Sequence, residues 1–331
     1  MIVVACPPIP IAQVARALGA RNRPCWLCLP EGESDPLAAR AFEVLASDPM
    51  EVVEGRDPAA LTEAWTRAQS AWAAAGRARV PVGIGQLSYD LARDWHGLAP
   101  RASGPWAPIE FRFYDALWVQ GAGAPEIWAV DAAAAERLRT RVMDGDPAEA
   151  LAFSLSPLTA IEPPAQHEAA VARILAYLRA GDVYQVNLAR RLRARLQAAG
   201  PAGLGLFLAL RTHAPAPHAL WLGDPEKQRA LIGNSPERFL QLSTDGWLET
   251  APIKGTRPRG DTPEEDAAAA ADLLATAKDR AEHVMIVDLE RNDLGRVCTT
   301  GTVHVADLLR LMKLPSVFHL VSRVRGQLRA D

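Results

Sequence analysis

The stretch that decides the fold reads Trp247-Leu248-Glu249-Thr250-Ala251-Pro252-Ile253-Lys254-Gly255-Thr256. Its aromatic and apolar content predicts a strand over 247–253. Further strand-like runs precede it, the last three at close intervals, at 182–196, 219–222, 230–232 and 238–242. Strands that follow one another this closely pair antiparallel. Because helical sequence occupies separate stretches and does not alternate with each strand, the pattern favours an α+β fold over a doubly wound parallel sheet.

Helical patterns flank these strands. Residues 166–180 carry apolar side chains on one face, and Gly181 is a typical C-terminal stop. A second helical stretch is predicted to begin at Thr262, which is followed by proline at the first helical position and by Glu265 three residues later. Gly295 is predicted to end that stretch.

The N-terminal half contains a similar mixture of elements. The patterns predict a helix over 57–75 and strands over 82–89, 111–119 and 124–130. A looser stretch over 144–164 is typical of a linker. We therefore divide the chain into an N-terminal region, 1–150, and a catalytic region, 165–331.

Composition narrows the class of protein. A formal net charge of −3 over 331 residues gives no electrostatic reason to expect nucleic acid or an anionic membrane as a partner. No apolar run approaches the roughly 20 residues that span a bilayer. Prolines 7, 8 and 10 interrupt the apolar N-terminus, which argues against a signal peptide. Four cysteines without such a signal indicate a reducing, cytoplasmic location.

The sequence Cys25-Trp26-Leu27-Cys28 is a C-x-x-C motif. A zinc site needs two more ligands, and the sequence has no second C-x-x-C and no paired histidines to supply them. A redox motif would open a helix, whereas this run is apolar and strand-like. We therefore predict that both cysteines are core residues.

Lys254 lies at a strand end before a glycine-punctuated turn. From its position alone, this lysine can be an exposed charge, a binder of phosphate or carboxylate, or a nucleophile. Only a desolvated lysine with a lowered pKa is free to attack carbon at neutral pH.

Asp279 and Glu282 are three residues apart and share a helix face. Alone, the pair would indicate a solvated face with salt bridges. The continuously apolar run 284–287 that follows predicts a buried helix, because a helix that is apolar all round is buried. Carboxylates at the start of such a helix need a partner, and a divalent cation is one candidate.

Two further residues are ambiguous when taken singly. Glu237 precedes Arg238, with which it would form an ion pair at a turn. His319 is flanked by apolar residues and would be a satisfied core histidine.

Five segments taken together resemble the chorismate-utilising enzymes, a family that includes anthranilate synthase component I, aminodeoxychorismate synthase component I, isochorismate synthase and salicylate synthase. In family order they are GDVYQVNL at 181–188, SPERF at 235–239, PIKGTR at 252–257, KDRAEH at 278–283 and DLERNDLGR at 288–296. The resemblance implies an antiparallel-sheet-rich fold of this family.

Lys254 discriminates within the family. Anthranilate synthases have alanine at the matching position, whereas aminodeoxychorismate synthases have the P-I-K-G-T form present here. The resemblance implies that Lys254 adds to C2 of chorismate and expels the C4 hydroxyl, after which ammonia gives 4-amino-4-deoxychorismate for para-aminobenzoate and folate synthesis. A separate glutamine amidotransferase is the implied partner and ammonia source.

The resemblance also implies roles for other residues. Glu237 matches the acid that protonates the leaving hydroxyl, which would require a pKa raised by burial. His319 matches an active-site histidine with a positioning role. Gly255 and Thr256 match substrate-binding positions. Glu282 matches one ligand of Mg²⁺, the expected cofactor.

The chain departs from the family pattern in two places. The family continues past residue 331 with a G-x-x-T-G-A-P-K segment and a second magnesium-binding glutamate, so we expect an incomplete C-terminal part and an open wall of the active site. Some relatives bind tryptophan at positions that match Glu31, Pro217 and His218. Glutamate in place of serine, and histidine in place of an aromatic ring, speak against tryptophan binding here. The alternatives are anthranilate synthase component I and a non-catalytic chain that only binds a partner.

Overall fold

The structure is a computed structural model, and it describes residues 2–30, 41–76, 82–99, 104–121, 123–144 and 151–330. Its helices are α1 (Ile11–Gly19), α2 (Pro58–Ala74), α3 (Leu91–Trp95), α4 (Ala132–Met143), α5 (Pro164–Ala180), α6 (Leu204–His213), α7 (Pro263–Ala275) and α8 (Ala277–Val297). Its N-terminal strands are β1 (Ile2–Ala5), β2 (Cys25–Pro30), β3 (Ala41–Ala46), β4 (Glu51–Gly55), β5 (Gly83–Leu87), β6 (Ile109–Phe113), β7 (Ala116–Gln120) and β8 (Glu126–Ala129).

The remaining strands are β9 (Phe153–Leu155), β10 (Thr159–Ala160), β11 (Leu192–Arg193), β12 (Leu196–Ala198), β13 (His218–Asp224), β14 (Arg229–Ser235), β15 (Arg238–Leu242), β16 (Trp247–Ala251), β17 (Ile253–Pro258), β18 (His304–Lys313) and β19 (Val317–Gln327). Antiparallel sheets and separate helical stretches confirm the α+β prediction. No helix in the part of the chain that the structure describes has the length and apolarity needed to cross a membrane.

A seven-stranded antiparallel sheet has the order β1-β8-β7-β3-β2-β13-β14. Strand β13 joins it by pairing with β2, where Trp221 lies opposite Trp26. Strands from the 1–150 region and from the 165–331 region therefore share one sheet, because both present apolar strands that need a paired edge.

The cysteines of the C-x-x-C motif are core residues, as predicted. Cys25 and Cys28 are three apart on strand β2, so their side chains point to opposite faces of the sheet. Cys28 packs with Trp26 in the cluster on one face, and Cys25 packs in the cluster on the other. Burial raises the pKa of Cys25 to about 11. The two thiols therefore cannot act together at one site.

A buried ionic network ties this sheet to the smaller sheet β4-β6-β5. Arg112 on β6 is fully buried and donates to the carbonyl oxygens of Pro24 at 2.9 Å and of Gly223 at 2.7 Å. Its guanidinium also donates to the buried carboxylate of Glu110 at 2.7 Å. Arg229 reaches the buried Asp224 at 2.9 Å. These bonds satisfy charges that would otherwise be costly to bury.

The second large sheet is built around β19, the strand with most partners. β19 pairs with β16 and β17 along one edge and with β18 along the other. Helices α7 and α8 cover one face, where Leu273 packs against Leu320 and Val287 packs against Val324. This sheet-on-helix layer carries the residues that the family motifs single out.

Several predicted boundaries differ from the structure. The predicted strand 111–119 is two strands in different sheets, because the chain crosses from β6 to β7 at Tyr114 and Asp115. The predicted strand 182–196 is wrong for most of its length, since only β11 and the start of β12 form there. Gly295 does not end α8, which continues to Val297.

Two helix ends that were predicted from capping residues agree with the structure. Thr262 and Glu265 form the predicted capping box at the start of α7. Gly181 ends α5 in the left-handed conformation, with φ of +79°. The prediction that α8 is buried all round was wrong, because Val284 is 48% exposed while Ile286 and Val287 are buried.

His218 begins β13 and approaches the second sheet. Its Nε2 atom is buried and makes no hydrogen bond with another described residue. Burial first, and then the positive charge of Arg238, lower the pKa of His218 from 6.5 to about 4. The folded protein therefore favours the neutral imidazole.

We predict that Arg112→Ala destabilises the fold by about 3–5 kcal/mol, because it leaves the carbonyl oxygens of Pro24 and Gly223 without their buried donor. It also removes one of the cations around the buried Glu110, which Arg23 still contacts at 3.0 Å. Urea unfolding followed by tryptophan fluorescence measures the change. Arg67→Ala is the control, since its ion pair with Glu51 lies on the surface and contributes little. Equal stability of the Arg112 variant and the wild type would contradict the structural role of this network.

The lowered pKa of His218 predicts that the folded protein loses stability in acid. Its folded-state pKa of about 4 lies below the unfolded value of 6.5, so its contribution is complete above pH 6.5 and is lost as the pH falls towards 4. His218→Asn removes that contribution. The difference in unfolding free energy between wild type and variant, measured from pH 7 to pH 4, should change over this window. A difference that is constant with pH would refute the prediction.

Candidate active site

Lys254 lies in a β-bulge on β17. The pairing with β19 passes from Ile253 opposite Val321 to Thr256 opposite His319, so β17 advances three residues where β19 advances two. The extra residue bends the strand, and bulges of this kind re-aim side chains next to active sites. The strand-end position that the sequence predicted for Lys254 is therefore a bulge inside a strand.

Gly255 is required in this bulge for two reasons. Its φ of +85° is a left-handed conformation that other residues adopt only at a cost. An added Cβ would also lie 3.0 Å from Cδ1 of Leu273 and 3.3 Å from Cβ of Asp279. The glycine thus lets the bulge pack directly against helices α7 and α8.

The Lys254 side chain is half-buried, and its Nζ atom donates to the carbonyl oxygen of Ile253 at 3.0 Å. The backbone N–H of Ile253 donates to Oε1 of Glu237 at 2.8 Å. The Lys254 amine and the Glu237 carboxylate therefore both form hydrogen bonds with the backbone of Ile253. The structure brings these two predicted site residues together.

Glu237 lies where the chain passes from β14 in the seven-stranded sheet to β15 in the second sheet. Ser235 holds this turn: its hydroxyl accepts from the Glu237 N–H at 3.1 Å and donates to the Glu237 carbonyl at 3.0 Å. Glu237 is exposed, so the burial expected for it is absent. The predicted ion pair with Arg238 is also absent among the described contacts, because Arg238 pairs with Glu249.

His283 on α8 is a residue whose role the sequence analysis missed. It is fully buried, its Nδ1 lies 3.2 Å from the Lys254 carbonyl oxygen, and its Nε2 lies 2.7 Å from Oγ of Ser322. Burial lowers its pKa. The available signal was its spacing, three and four residues before the apolar Ile286 and Val287, which placed a histidine on the buried stripe of the helix.

His319 is buried and bonds to Thr256, with Nδ1 2.9 Å from Oγ1. Burial lowers the pKa of His319, while the Gly255 backbone and the negative charge of Glu237 oppose that shift. On β19, His319 and Ser322 are three residues apart and point to opposite faces. His319 and His283 therefore flank the bulge from opposite faces of the sheet.

Glu290 is a second residue that the sequence analysis did not single out. It follows His283 by seven residues, so it lies on the same face of α8. Burial is the main cause of its raised pKa, and the negative charges of Asp293 and Glu237 add to it. A hydrogen bond to Thr250 and the positive charge of Lys254 act in the other direction. Glu290 thus faces the same polar region as the lysine.

Glu282 is half-buried next to His283, whereas Asp279 is engaged by Arg257 at 3.0 Å. The described residues contain no cluster of three or more histidine, cysteine or acidic side chains suited to a metal. Mg²⁺ commonly takes only one or two protein carboxylates, together with waters and substrate oxygens. Glu282 therefore fits the part of a single carboxylate ligand.

The residues that match a tryptophan site are only partly described. Glu31 lies outside the described residues. Pro217 and His218 stand at the start of β13, where His218 lies opposite Ser235. This placement puts His218 near the turn that carries Glu237.

Comparison with known proteins agrees with this architecture. The model of a family described as chorismate binding enzyme matches residues 31–331. The aminodeoxychorismate synthase of Streptomyces pristinaespiralis is 49% identical over 153 residues, which cover 46% of this chain and 20% of that protein. Anthranilate synthase component 1 1 of Haloarcula marismortui is 36% identical over 278 residues, covering 74% of this chain and 54% of that protein.

The fold has a counterpart among solved structures. The crystal structure of anthranilate synthase component I from Streptococcus pneumoniae superposes with a TM-score of 0.67 at 23% identity, covering 91% of this chain and 73% of that one. The chain spans 54% of the length of the Haloarcula protein and 20% of the length of the Streptomyces protein. The match over residues 31–331, together with this likeness of fold, shows that the chain belongs to the family of chorismate-binding enzymes.

Proposed function

We propose that this chain aminates chorismate with ammonia to give 4-amino-4-deoxychorismate, using Lys254 as a covalent nucleophile. The observation that carries the proposal is a lysine in a bulge of β17, half-buried and one residue from the Glu237 contact. Aminodeoxychorismate synthases occur among the similar proteins, which supports the same activity.

The first step forms one bond and breaks one. The neutral amine of Lys254 attacks C2 of the ring, the two ring double bonds shift, and the C4 hydroxyl leaves. The hydroxyl needs a proton to depart as water, because hydroxide is a poor leaving group. In the second step ammonia attacks C4, the double bonds shift back, and the C2–N bond of the secondary ammonium breaks to return the neutral lysine amine. The new ammonium at C4 then gives one proton to the carboxylate, which restores the acid. Covalent catalysis thus divides one difficult displacement into two easier ones.

In this scheme Glu237 supplies the proton to the leaving hydroxyl once bound chorismate covers its exposed carboxyl group. Its Oε1 accepts the Ile253 N–H, which leaves Oε2 to carry the proton. The same bond joins the carboxyl group to the strand that carries the nucleophile. His319 and Thr256 form a hydrogen-bonded pair that offers polar groups to the substrate.

Glu282 is the carboxylate that would hold Mg²⁺ in the proposed reaction. A bound Mg²⁺ would fix the ring carboxylate of chorismate and withdraw electrons from the ring. The protein residues would still provide the nucleophile, the proton and the orientation. We also propose that a glutamine amidotransferase partner delivers the ammonia, with folate-precursor synthesis as the pathway.

Anthranilate synthase is the second candidate function. It is favoured by the relative from Haloarcula marismortui, which is named anthranilate synthase and matches 74% of this chain. Both reactions use chorismate, ammonia and Mg²⁺ in the proposed family scheme. The products differ, since anthranilate formation releases pyruvate.

The first test is product analysis with chorismate, ammonia and Mg²⁺. We expect 4-amino-4-deoxychorismate from the wild type, identified by liquid chromatography and mass spectrometry. Lys254→Ala should lower kcat/KM for amination by on the order of 1000-fold or more, as loss of a covalent nucleophile does.

Lys313→Ala is the matched control, because this lysine lies on β18 of the same sheet and its side chain is 61% exposed. It should retain the wild-type rate. Anthranilate and pyruvate as the main products would overturn the proposed amination. A Lys254→Ala variant with the full rate and the same product would overturn the covalent role.

Glu282→Gln tests the metal assignment. It removes the charge of the proposed ligand, so the Mg²⁺ concentration that gives half-maximal amination should rise about 10-fold or more. Asp288→Asn is the control, since that carboxylate lies on the same helix and is 77% exposed. A Mg²⁺ titration with the same midpoint for both variants would remove Glu282 from the metal site.

A further inference from the structure

His283 is fully buried against the proposed nucleophile, yet the amination scheme gives it no role. Its ring nitrogens contact the Lys254 carbonyl at 3.2 Å and the Ser322 hydroxyl at 2.7 Å. We propose that His283, supported by Ser322, is a positioning residue that holds the main chain of Lys254 in its reactive place. This inference rests on the proposed function for its catalytic consequence.

The donor and acceptor roles follow from the partners. A carbonyl oxygen only accepts, so Nδ1 of His283 carries the hydrogen that is donated to Lys254. Nε2 then accepts from the Ser322 hydroxyl. The Ser322 oxygen in turn accepts the Leu309 N–H at 2.9 Å, which extends the chain of bonds to β18. Each donor in this buried chain has an acceptor, which gives the histidine one orientation.

The bulge creates the need for such a bond. Lys254 and Gly255 fall between the register pairs Ile253–Val321 and Thr256–His319, so neither has a register partner on β19. A buried carbonyl without a partner is costly. His283 supplies the donor that the strand ladder does not. Glu237 accepts the N–H of the neighbouring Ile253, so side chains hold both ends of the Ile253–Lys254 dipeptide.

A fixed main chain matters because Lys254 must place its amine in line with one ring carbon. A displacement of about 1 Å can reduce a rate on the order of 100-fold when the reacting atoms are otherwise well aligned. Because His283 acts on the nucleophile and makes no proposed contact with chorismate, its loss should lower kcat and leave KM nearly unchanged.

Three variants test this role. His283→Leu removes both hydrogen bonds. His283→Gln keeps a donor for the Lys254 carbonyl and an acceptor for the Ser322 hydroxyl. Val287→Ala is the matched control, because this buried residue lies on the same helix and packs against Val324 away from Lys254. Ser322→Ala removes the hydroxyl that bonds to His283. It tests the proposed role if His283→Leu does not fold.

Amide hydrogen exchange of residues 252–257, measured by mass spectrometry without substrate, is the first readout. His283→Leu should speed exchange there about 10-fold, since one lost hydrogen bond changes a local equilibrium by about that factor. His283→Gln should recover most of the protection, and Val287→Ala should leave this segment as in the wild type. Ser322→Ala should produce a smaller change in the same direction.

Steady-state amination kinetics are the second readout. His283→Leu should lower kcat about 10-fold with KM within about twofold, and His283→Gln should recover most of kcat. Unchanged exchange in both His283→Leu and Ser322→Ala would overturn the proposal, as would an equal change in Val287→Ala. A rise in KM with kcat unchanged would also overturn it. Because hydrogen exchange needs no turnover, it separates failure of this inference from failure of the proposed amination.

Discussion

The bulge at Lys254 and Gly255 is the constraint around which the proposed active site is arranged. One extra residue on β17 takes the lysine out of the regular ladder with β19. The glycine at φ +85° makes this possible and lets helices α7 and α8 approach the strand. A Cβ atom at position 255 would lie 3.0 Å from Leu273 and 3.3 Å from Asp279, closer than ordinary packing, so the bulge and the helical layer depend on each other.

The bulge interrupts strand pairing at Lys254 and Gly255, and surrounding side chains bond to the backbone there and at the adjacent Ile253. Glu237, on the turn between β14 and β15, accepts the Ile253 N–H, and His283, on α8, bonds to the Lys254 carbonyl. His319 and Thr256 pair across β19 and β17 immediately after the bulge. Residues from three other stretches of chain thus converge on the bulge of β17.

Burial governs the protonation of the groups around the lysine. It lowers the pKa of His283 and His319 and raises the pKa of Glu290, which shifts each group in the direction of its uncharged form. The polar groups around the bulge therefore lie in an environment that penalises the charged form of a side chain. The exposed Glu237 differs from the others, and its orientation comes from Ser235 and Ile253.

Features that depend on neighbouring residues could be predicted from the sequence alone. The capping box at Thr262 and the glycine stop at 181 depend on neighbouring residues, and both were found as predicted. The α+β class and the strands at 219–222, 230–232 and 238–242 followed from short-range patterns. The family motifs drew attention to Lys254, Glu237, Glu282 and His319 because each lies within a short, distinctive segment.

Features that depend on distant residues were decided by the tertiary structure. The sequence did not indicate that Lys254 lies in a bulge, since a bulge is defined by register against β19, more than sixty residues later in the chain. It did not assign His283 or Ser322, whose roles arise only when α8 packs on the sheet. The run 182–196 looked like a strand, but strand formation needs a partner, and pairing there is confined to β11 and β12. Patterns along the chain determined the capped helix ends and several short strands, whereas long-range packing decided where strands pair and which side chains meet.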